Sequence, residues 1–243
     1  MELVIPHRYC GPPESGNGGW VSGALAEHVP TTADLPAVTV RLASPPPLDR
    51  PLEVTRETEP DGIPVVRVLD GNHLVATGTP AQDLSDAVPP PVALDVARGA
   101  EPRFEGLTDH PFPTCFACGT GREPADALCL RPGPLDDGTG RYAATWVPRE
   151  VDGPLVWAAL DCPGGWSAGI AGRPMVLGTM TARVMALPTV GEEHVVLAWQ
   201  RGSQGRKHHS GSALFSPAGA VLARAEATWI AVDPTTIRPK DRS

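Results

Sequence analysis

A glycine-rich pattern that occurs twice most strongly constrains how this chain can fold. The pattern GGW-x-x-G begins at Gly18, within NGGWVSGALA, and again at Gly164, within PGGWSAGIAG, 146 positions later. Glycine costs about 1 kcal/mol relative to alanine in a helix interior. A helix-like segment that repeats these glycines therefore indicates either an internal duplication or one geometric requirement that the chain meets twice.

Two further matches favour duplication. Arg41 in VRLASPPP corresponds to Arg183 in ARVMALP at an offset of 142, and LVATG at Leu74 corresponds to VLARA at Val221 at an offset of 147. Matches in one order at nearly one offset are the signature of an internal repeat.

Alternating apolar residues follow each glycine-rich segment and predict antiparallel strands. An Asp-Gly pair in VVRVLDGNHLVATG and the SPAG segment near the end predict hairpin turns. Two strands are predicted at the beginning of the second half, in DALCLRPG and GRYAATWVP. The first half has only a short strand at the corresponding place, ELVIP. Each half is thus predicted as one helix wrapped by a curved antiparallel sheet, which small helix residues allow to approach closely. These residues are Gly23, Ala24, Gly169 and Ala171.

The predicted organisation is an N-terminal half at 1–90, a proline-rich linker at 91–115, a C-terminal half at 116–235 and a polar tail at 236–243. A net charge of −8 and a pI near 5.3 argue against nucleic acid as a partner. The chain has no apolar run of the roughly 20 residues that span a bilayer, and MELVIPHRYC lacks the features of a signal peptide. We therefore expect a cytoplasmic protein whose five cysteines are reduced thiols.

Three segments together resemble a known family. LVWAALDCPGGWSAG followed by GTMTARVM, and the ending GRKHHSGSALFSPAGAVLARAEATWI, look like the double-hotdog acyl-CoA thioesterases. The resemblance implies an α+β protein of two tandem hotdog folds that acts on an acyl-CoA and has no resident cofactor. It also implies a functional Asp at the helix entry, matched by Asp161, and a Thr on the next strand, matched by Thr181. Where the family tends to have Gln on the last strand, this chain has Glu226.

Thioester hydrolysis requires an activated water and a hydrogen-bond donor for the developing oxyanion. If both GGW segments open helices, their free N–H groups supply such donors, and Gly165 lets a carbonyl approach. Asp161 would activate the water or cap the helix, and Thr181 would hold the water or serve only as a strand residue. Asn17 is the corresponding donor or cap of the first half. The alternative explanation is that the glycines serve tight packing alone.

The most basic stretch, WQRGSQGRKHHSG, suggests a site for the phosphates of coenzyme A in an otherwise acidic protein. Arg201, Arg206 and Lys207 are its predicted contacts, although a solvated hairpin tip explains the same pattern. A general base at His208 or His209 is a weaker prediction.

CFACG contains a Cys-x-x-Cys pair, Cys115 and Cys118, that resembles half of a zinc knuckle. The residues that could complete a zinc site with this pair are Cys129, His110 or Cys10. Because the chain has no second Cys-x-x-Cys, reduced thiols in a turn are favoured and no metal is expected. Cys162 lies beside Asp161, but no histidine near it in sequence supports a nucleophilic role.

The function predicted first is hydrolysis of an acyl-CoA thioester. The alternative is a protein of the same fold that binds an acyl-CoA or an acyl carrier without turning it over, which Glu226 favours. A hotdog dehydratase is less favoured, since it requires an Asp–His or His–Glu pair near the helix. Both a monomer and a homodimer of double hotdogs agree with the sequence. Trp20 and Trp166 occupy the same place in each copy and are predicted to pack.

Overall fold

The computed structural model describes residues 1–237. Within this part, three α-helices accompany an eleven-stranded antiparallel sheet. The helices are α1 (Gly18–Ala26), α2 (Leu94–Ala100) and α3 (Gly153–Ser167). The strands are β1 (Glu2–Val4), β2 (Ala37–Leu42), β3 (Pro51–Thr58), β4 (Pro64–Asp70), β5 (His73–Ala81), β6 (Gly133–Pro134), β7 (Tyr142–Trp146), β8 (Met175–Val184), β9 (His194–Gln204), β10 (Lys207–Phe215) and β11 (Val221–Ala231).

The sheet has the same strand order on both sides of its centre. Outward from the centre, one side runs β2, β5, β4, β3, β1, and the other runs β8, β11, β10, β9, β7, with β6 at the edge. Helix α1 packs on β2 and β5, α3 packs on β8 to β11, and the two helices pack against each other. The prediction of a hotdog fold, a helix wrapped by a curved antiparallel sheet, is confirmed.

The two halves meet at the pairing of β2 with β8. Thr39 lies directly opposite Thr181 in this pairing, and their hydroxyl oxygens are 2.8 Å apart. These two residues are 142 positions apart, the offset that relates Arg41 to Arg183 in the sequence. An evolutionary duplication stays a prediction, but the matching offset coincides with the centre of a symmetric strand order.

The two GGW segments occupy different ends of their helices. Gly18 opens α1, whereas Gly164 lies in the last turns of α3, which begins eleven residues earlier at Gly153. The expectation that both copies open helices is therefore wrong for the second. The true start of α3 is set by Asp152, whose Oδ1 accepts the Leu155 N–H at 2.7 Å, and by a proline in the first turn.

The repeated glycines permit close contacts of two kinds. A Cβ at Gly23 would lie 2.6 Å from the Cα of Pro154 on α3, so the first copy lets two helices approach. A Cβ at Gly165 would lie 2.9 Å from the ring of Trp229 on β11, so the second copy lets a helix approach the sheet. Of the glycines predicted to let the sheet approach, Gly23 serves the contact between helices instead, and a Cβ at Gly169 would contact nothing within 4 Å. Gly165 makes the close contact with the sheet.

The predicted linker at 91–115 is not a simple connector. It contains α2, whose Ala97 and Ala100 are buried in a small apolar cluster with residues of β7 and β9. The predicted strand DALCLRPG is absent before β6, because Leu128 and Leu130 donate backbone hydrogen bonds to the CFACG turn instead of a strand. Of the predicted tail, Ile237 is buried, and residues 238–243 lie outside the described part.

No helix in residues 1–237 combines the length and apolar character needed to cross a bilayer.

Candidate functional site

A cavity of about 280 Å³ lies where the two helices, the sheet and the segment after the linker meet. It is bounded by the start of α1, the middle of α3, the beginning of β8 and the end of β11. Its wall is mainly apolar and includes Ile170, Met175, Leu177, Trp229 and Ile230. The polar residues of the lining include Asn17, His110 and Asp161.

Asp161 is a buried carboxylate in the middle of α3, with 2% of its surface exposed. Its Oδ2 accepts hydrogen bonds from the N–H of Gly19 at 2.8 Å and from Nδ2 of Asn17 at 3.2 Å. Its Oδ1 is buried and has no hydrogen-bond partner in residues 1–237. Burial raises the pKa of Asp161 to about 7, against the opposing effect of the Gly19 hydrogen bond. Asp161 cannot cap its own helix, because it lies eight residues inside α3, but its Oδ2 accepts a first-turn N–H of α1.

Asn17 caps helix α1 and also contacts the catalytic candidate of the other half. Its Oδ1 accepts the N–H of Trp20 at 2.9 Å, which fixes the orientation of the amide. The Nδ2 group is consequently directed toward Asp161. Asn17 is thus the cap of α1, and its role as a donor in the reaction stays a prediction.

Gly18 is the first residue of α1 and lines the same cavity. Its N–H makes no hydrogen bond to any group in residues 1–237, as expected for the first residue of a helix. A Cβ at this position would lie 2.7 Å from Cβ of Leu177, so only glycine fits without displacement of β8. The cavity therefore contains an available backbone donor at the positive end of the helix dipole.

Three buried cysteines form a cluster in the wall of the cavity. Sγ of Cys115 is 3.6 Å from Sγ of Cys162, and Cys118 completes the group. Hydrogen bonds from Cys118 and from Cys162 hold the pKa of the Cys115 thiol well below its usual range, whereas burial raises the pKa of Cys118 and the hydrogen bond to Cys115 raises the pKa of Cys162. His110 also lines the cavity, with Nε2 at 3.4 Å from Sγ of Cys118.

Several residues predicted for the site lie elsewhere. Thr181 bonds to Thr39 at the sheet centre, and its neighbours Met180 and Ala182 are in the core, so it points to the opposite face of the sheet. Arg201 pairs with Asp86 and Glu226. Gly165 packs on Trp229 at the end of α3 and presents no helix N-terminus, which overturns its expected oxyanion role.

Arg206 lies in the turn between β9 and β10, and Lys207 is the first residue of β10. Lys207 lies opposite Ile230, which lines the cavity, and the N–H of Ala231 donates to the carbonyl of Arg206. The backbones of both residues are thus close to the end of β11 that forms part of the cavity wall. His208 is buried near Arg173, and burial lowers its pKa.

No pattern in the sequence indicates that the CFACG segment reaches the cavity. The sequence favours a turn of reduced thiols there, whereas the chain brings Cys115 against Cys162, and Cys118 and His110 against Trp166 of α3. Gly18 belongs to the repeated pattern, but its role as the start of a helix beside Asp161 required the three-dimensional structure.

The fold that surrounds this site is the hotdog fold, with one helix and one curved sheet in each half of the chain. The chain is similar to a protein of unknown function with a hot dog fold from Alicyclobacillus acidocaldarius, at 16% identity and a TM-score of 0.64, over 96% of this chain and 93% of that one. It is also similar to an acyl-CoA thioesterase II from Mycobacterium marinum, at 12% identity and a TM-score of 0.61, over 96% and 93% of the two chains.

A third similar structure is the dehydratase domain of a mycocerosic acid synthase-like polyketide synthase, at 12% identity and a TM-score of 0.55, over 96% of this chain and 91% of that one. No protein-family model matches the chain, and no curated protein matches it. At these identities the similarity defines the fold, and the chemistry must be argued from the site.

Proposed function

We propose that this protein hydrolyses a thioester, with an acyl-CoA as its substrate and Asp161 as the base that activates water. The observation that carries the proposal is the Oδ1 atom of Asp161, which is buried in the cavity and has no hydrogen-bond partner in residues 1–237. A buried carboxylate oxygen without a partner is unfavourable unless a water or a ligand supplies one. The cavity offers room for both.

The reaction uses two groups at the start of α1 and one on α3. Oδ1 of Asp161 accepts a proton from water as the water oxygen attacks the thioester carbon. The N–H of Gly18 donates to the carbonyl oxygen, which becomes an oxyanion in the tetrahedral intermediate. The intermediate collapses with cleavage of the C–S bond, and the proton held by Asp161 passes to the leaving thiolate. Asn17 acts as a positioning residue that holds Oδ2 so that Oδ1 faces the cavity.

The apolar wall suits an acyl chain. The cavity volume of about 280 Å³ lies just below the range of ligand pockets, which runs from roughly 300 to 1,000 Å³, so we expect short chains to be preferred. Arg206 and Lys207 beside the cavity wall would contact the coenzyme A phosphates. Arg201 is not part of this proposal, because two carboxylates already occupy its guanidinium.

A dehydratase would need a histidine that works together with the carboxylate. Both ring nitrogens of His110 are already engaged, Nδ1 by the N–H of Phe112 at 3.0 Å and Nε2 by Cys118 at 3.4 Å. The site therefore favours hydrolysis, in which a single carboxylate and a backbone donor suffice.

The test is release of free thiol from acyl-CoAs of increasing chain length. Asp161→Asn keeps the shape of the side chain but removes the base, and we expect thiol release to fall by about 10²- to 10⁴-fold. Asp152→Asn is the matched control on the same helix, since Asn and Asp cap helices about equally well, and it should retain activity.

A wild-type protein that releases no thiol from any acyl-CoA would contradict hydrolysis. If a non-hydrolysable thioether analogue of an acyl-CoA then still raised the melting temperature of the protein, binding without turnover would replace hydrolysis as the proposed function. Equal activity of wild type and Asp161→Asn would remove Asp161 from the mechanism.

A further inference from the structure

The CFACG segment contributes nothing to the proposed hydrolysis, yet its two cysteines are held against α3 in a defined arrangement. We propose that Cys115, Cys118 and Cys162 bind a zinc-class divalent cation, with the three thiolates as its protein ligands and a water from the cavity in the fourth position. This inference is independent of the proposed thioester hydrolysis.

The positions of the sulfur atoms fit a common tetrahedral ion. All three lie within 4.8 Å of one another, and Sγ of Cys115 is 3.6 Å from Sγ of Cys162. Two thiolates bound to one zinc at about 2.3 Å lie about 3.8 Å apart in tetrahedral geometry. The described arrangement therefore needs only small side-chain adjustments to receive the ion.

The Cys-x-x-Cys pair lies in a tight, hydrogen-bonded turn. The N–H of Cys115 donates to the carbonyl of Phe112 at 2.9 Å. The turn is closed by the Gly119 N–H, which donates to the carbonyl of Cys115 at 2.8 Å. A Cβ at Gly119 would lie 2.5 Å from that carbonyl oxygen, so the closure depends on glycine.

Side-chain N–H groups surround the sulfurs from the other directions. Trp166 Nε1 donates to Sγ of Cys118 at 3.4 Å, and Asn17 Nδ2 is 3.7 Å from Sγ of Cys115 and 3.8 Å from Sγ of Cys162. Donors aimed at sulfur stabilise thiolates more than thiols, and such outer contacts orient the ligands of metal sites.

His110 belongs to this outer layer and is not a ligand in this arrangement. A backbone N–H can only donate, so the Phe112 N–H bond to Nδ1 leaves the proton of the neutral ring on Nε2. Nε2 therefore donates to Cys118 and has no lone pair for a metal. The protein ligand set consists of the three sulfurs.

A cation would be needed to hold the three cysteines together as thiolates. All three cysteines are buried, and no lysine or arginine is among the described residues that line the cavity. Buried thiolates without a compensating positive charge are strongly unfavourable. A soft divalent cation supplies that charge and prefers thiolate ligands.

The first measurement is the zinc content of the full-length protein, purified under reducing conditions and then incubated with zinc and dialysed. We expect one zinc per chain. Cobalt in its place should give the intense near-ultraviolet absorption of thiolate–cobalt charge transfer. Cys115→Ser, Cys118→Ser and Cys162→Ser should each lose the bound ion, whereas Cys129→Ser, outside the cluster, should retain it.

Alkylation of the wild-type protein provides a test that does not depend on variants that fold. Bound metal should protect Cys115, Cys118 and Cys162 from a thiol reagent, and a chelator should remove that protection. Mass spectrometry of the digested protein would identify which cysteines are alkylated. His110→Ala should bind zinc about 10- to 100-fold more weakly, and complete loss would overturn the three-sulfur ligand set. A wild-type protein that stays metal-free with excess zinc, or a cluster with a Cys115–Cys162 disulfide under reducing conditions, would overturn the proposal.

Discussion

Asn17 and Asp161 are 144 positions apart in the chain, yet Nδ2 of one donates to Oδ2 of the other at 3.2 Å. This contact joins the start of α1 to the middle of α3 inside the core. It also leaves Oδ1 of Asp161 as the oxygen that faces the cavity without a protein partner. The site of the proposed reaction is therefore assembled from both halves, and neither half contains it alone.

Substitutions of Asn17 separate its two roles. Asn17→Ser keeps an oxygen that caps α1 but has no N–H to reach Asp161, whereas Asn17→Ala loses both. We expect Asn17→Ala to be less stable than Asn17→Ser by about 1 kcal/mol, the usual value of a helix cap. Both variants should lose kcat for thiol release, with a smaller change in KM. Full kcat in Asn17→Ser would show that the Asp161 contact does not position the base.

Gly165 and Gly99 predict opposite effects of the same substitution. In Gly165→Ala the new methyl would lie 2.9 to 3.1 Å from the Trp229 ring, so we expect a loss of about 1–3 kcal/mol in the free energy of unfolding. A Cβ at Gly99, in α2, would have no atom within 4 Å outside its chain neighbours and the backbone of its own helix, and Gly99→Ala should gain up to about 1 kcal/mol in the free energy of unfolding. Urea denaturation of both variants measures the difference. Equal effects would contradict the described packing of α3 on β11.

The basic turn predicts a dependence of KM on the phosphates of the substrate. The double substitution of Arg206 and Lys207 by alanine should raise KM for an acyl-CoA, and the effect should shrink at high salt. A pantetheine thioester, which lacks the nucleotide phosphates, should show no change. Arg201→Ala serves as the comparison and should leave the KM values unaltered, because its guanidinium pairs with Asp86 and Glu226. A similar rise for both substrates would argue against phosphate binding.

Asp83 predicts how stability changes in acid. Burial acts to raise the pKa of Asp83, but hydrogen bonds from Arg224 and Arg183 outweigh it and lower that pKa below 3.8. The contribution to stability is therefore present above pH 3.8 and is lost as the pH falls through the lower folded-state value. Because 37% of the side chain is exposed, we expect less than about 1 kcal/mol.

Thermal unfolding between about pH 7 and pH 2.5 tests this. Asp83→Asn should melt lower than wild type near neutrality, and the two should converge in acid. Asp34→Asn, at an exposed residue without an ion pair in residues 1–237, should follow wild type throughout.

The sequence predicted the fold well because its signals are local and repeated. The Asp-Gly and SPAG turns and the alternating strands identified most of the sheet, and the offset of Arg41 and Arg183 corresponds to strands that pair at its centre. The start of α3 is predicted wrongly from the second GGW pattern. The helix begins eleven residues before that pattern, at Gly153, where Asp152 caps it and a proline lies in its first turn.

The site was predicted less well because its contacts join distant segments. The positions of Asp161 and Asn17 before GGW point to both residues, although Asp161 lies inside α3 and not at a helix entry. The involvement of Cys115 and His110 depends on how the chain crosses from α2 to α3, which no local pattern specifies. Thr181 was placed on the correct strand, but which face it occupies follows from Met180 and Ala182 in the core.

The pairing of β2 with β8 determines how the integrity of the site depends on protein concentration. When two separate subunits form a site between them, dilution dissociates the subunits and the site disappears. Here the same kind of contact lies within one polypeptide, so the carboxylate of Asp161 and the amide of Asn17 remain together at any protein concentration. The covalent link also allows different residues at the two positions, an acid in one half and its amide partner in the other, which two identical subunits could not provide without repeating both.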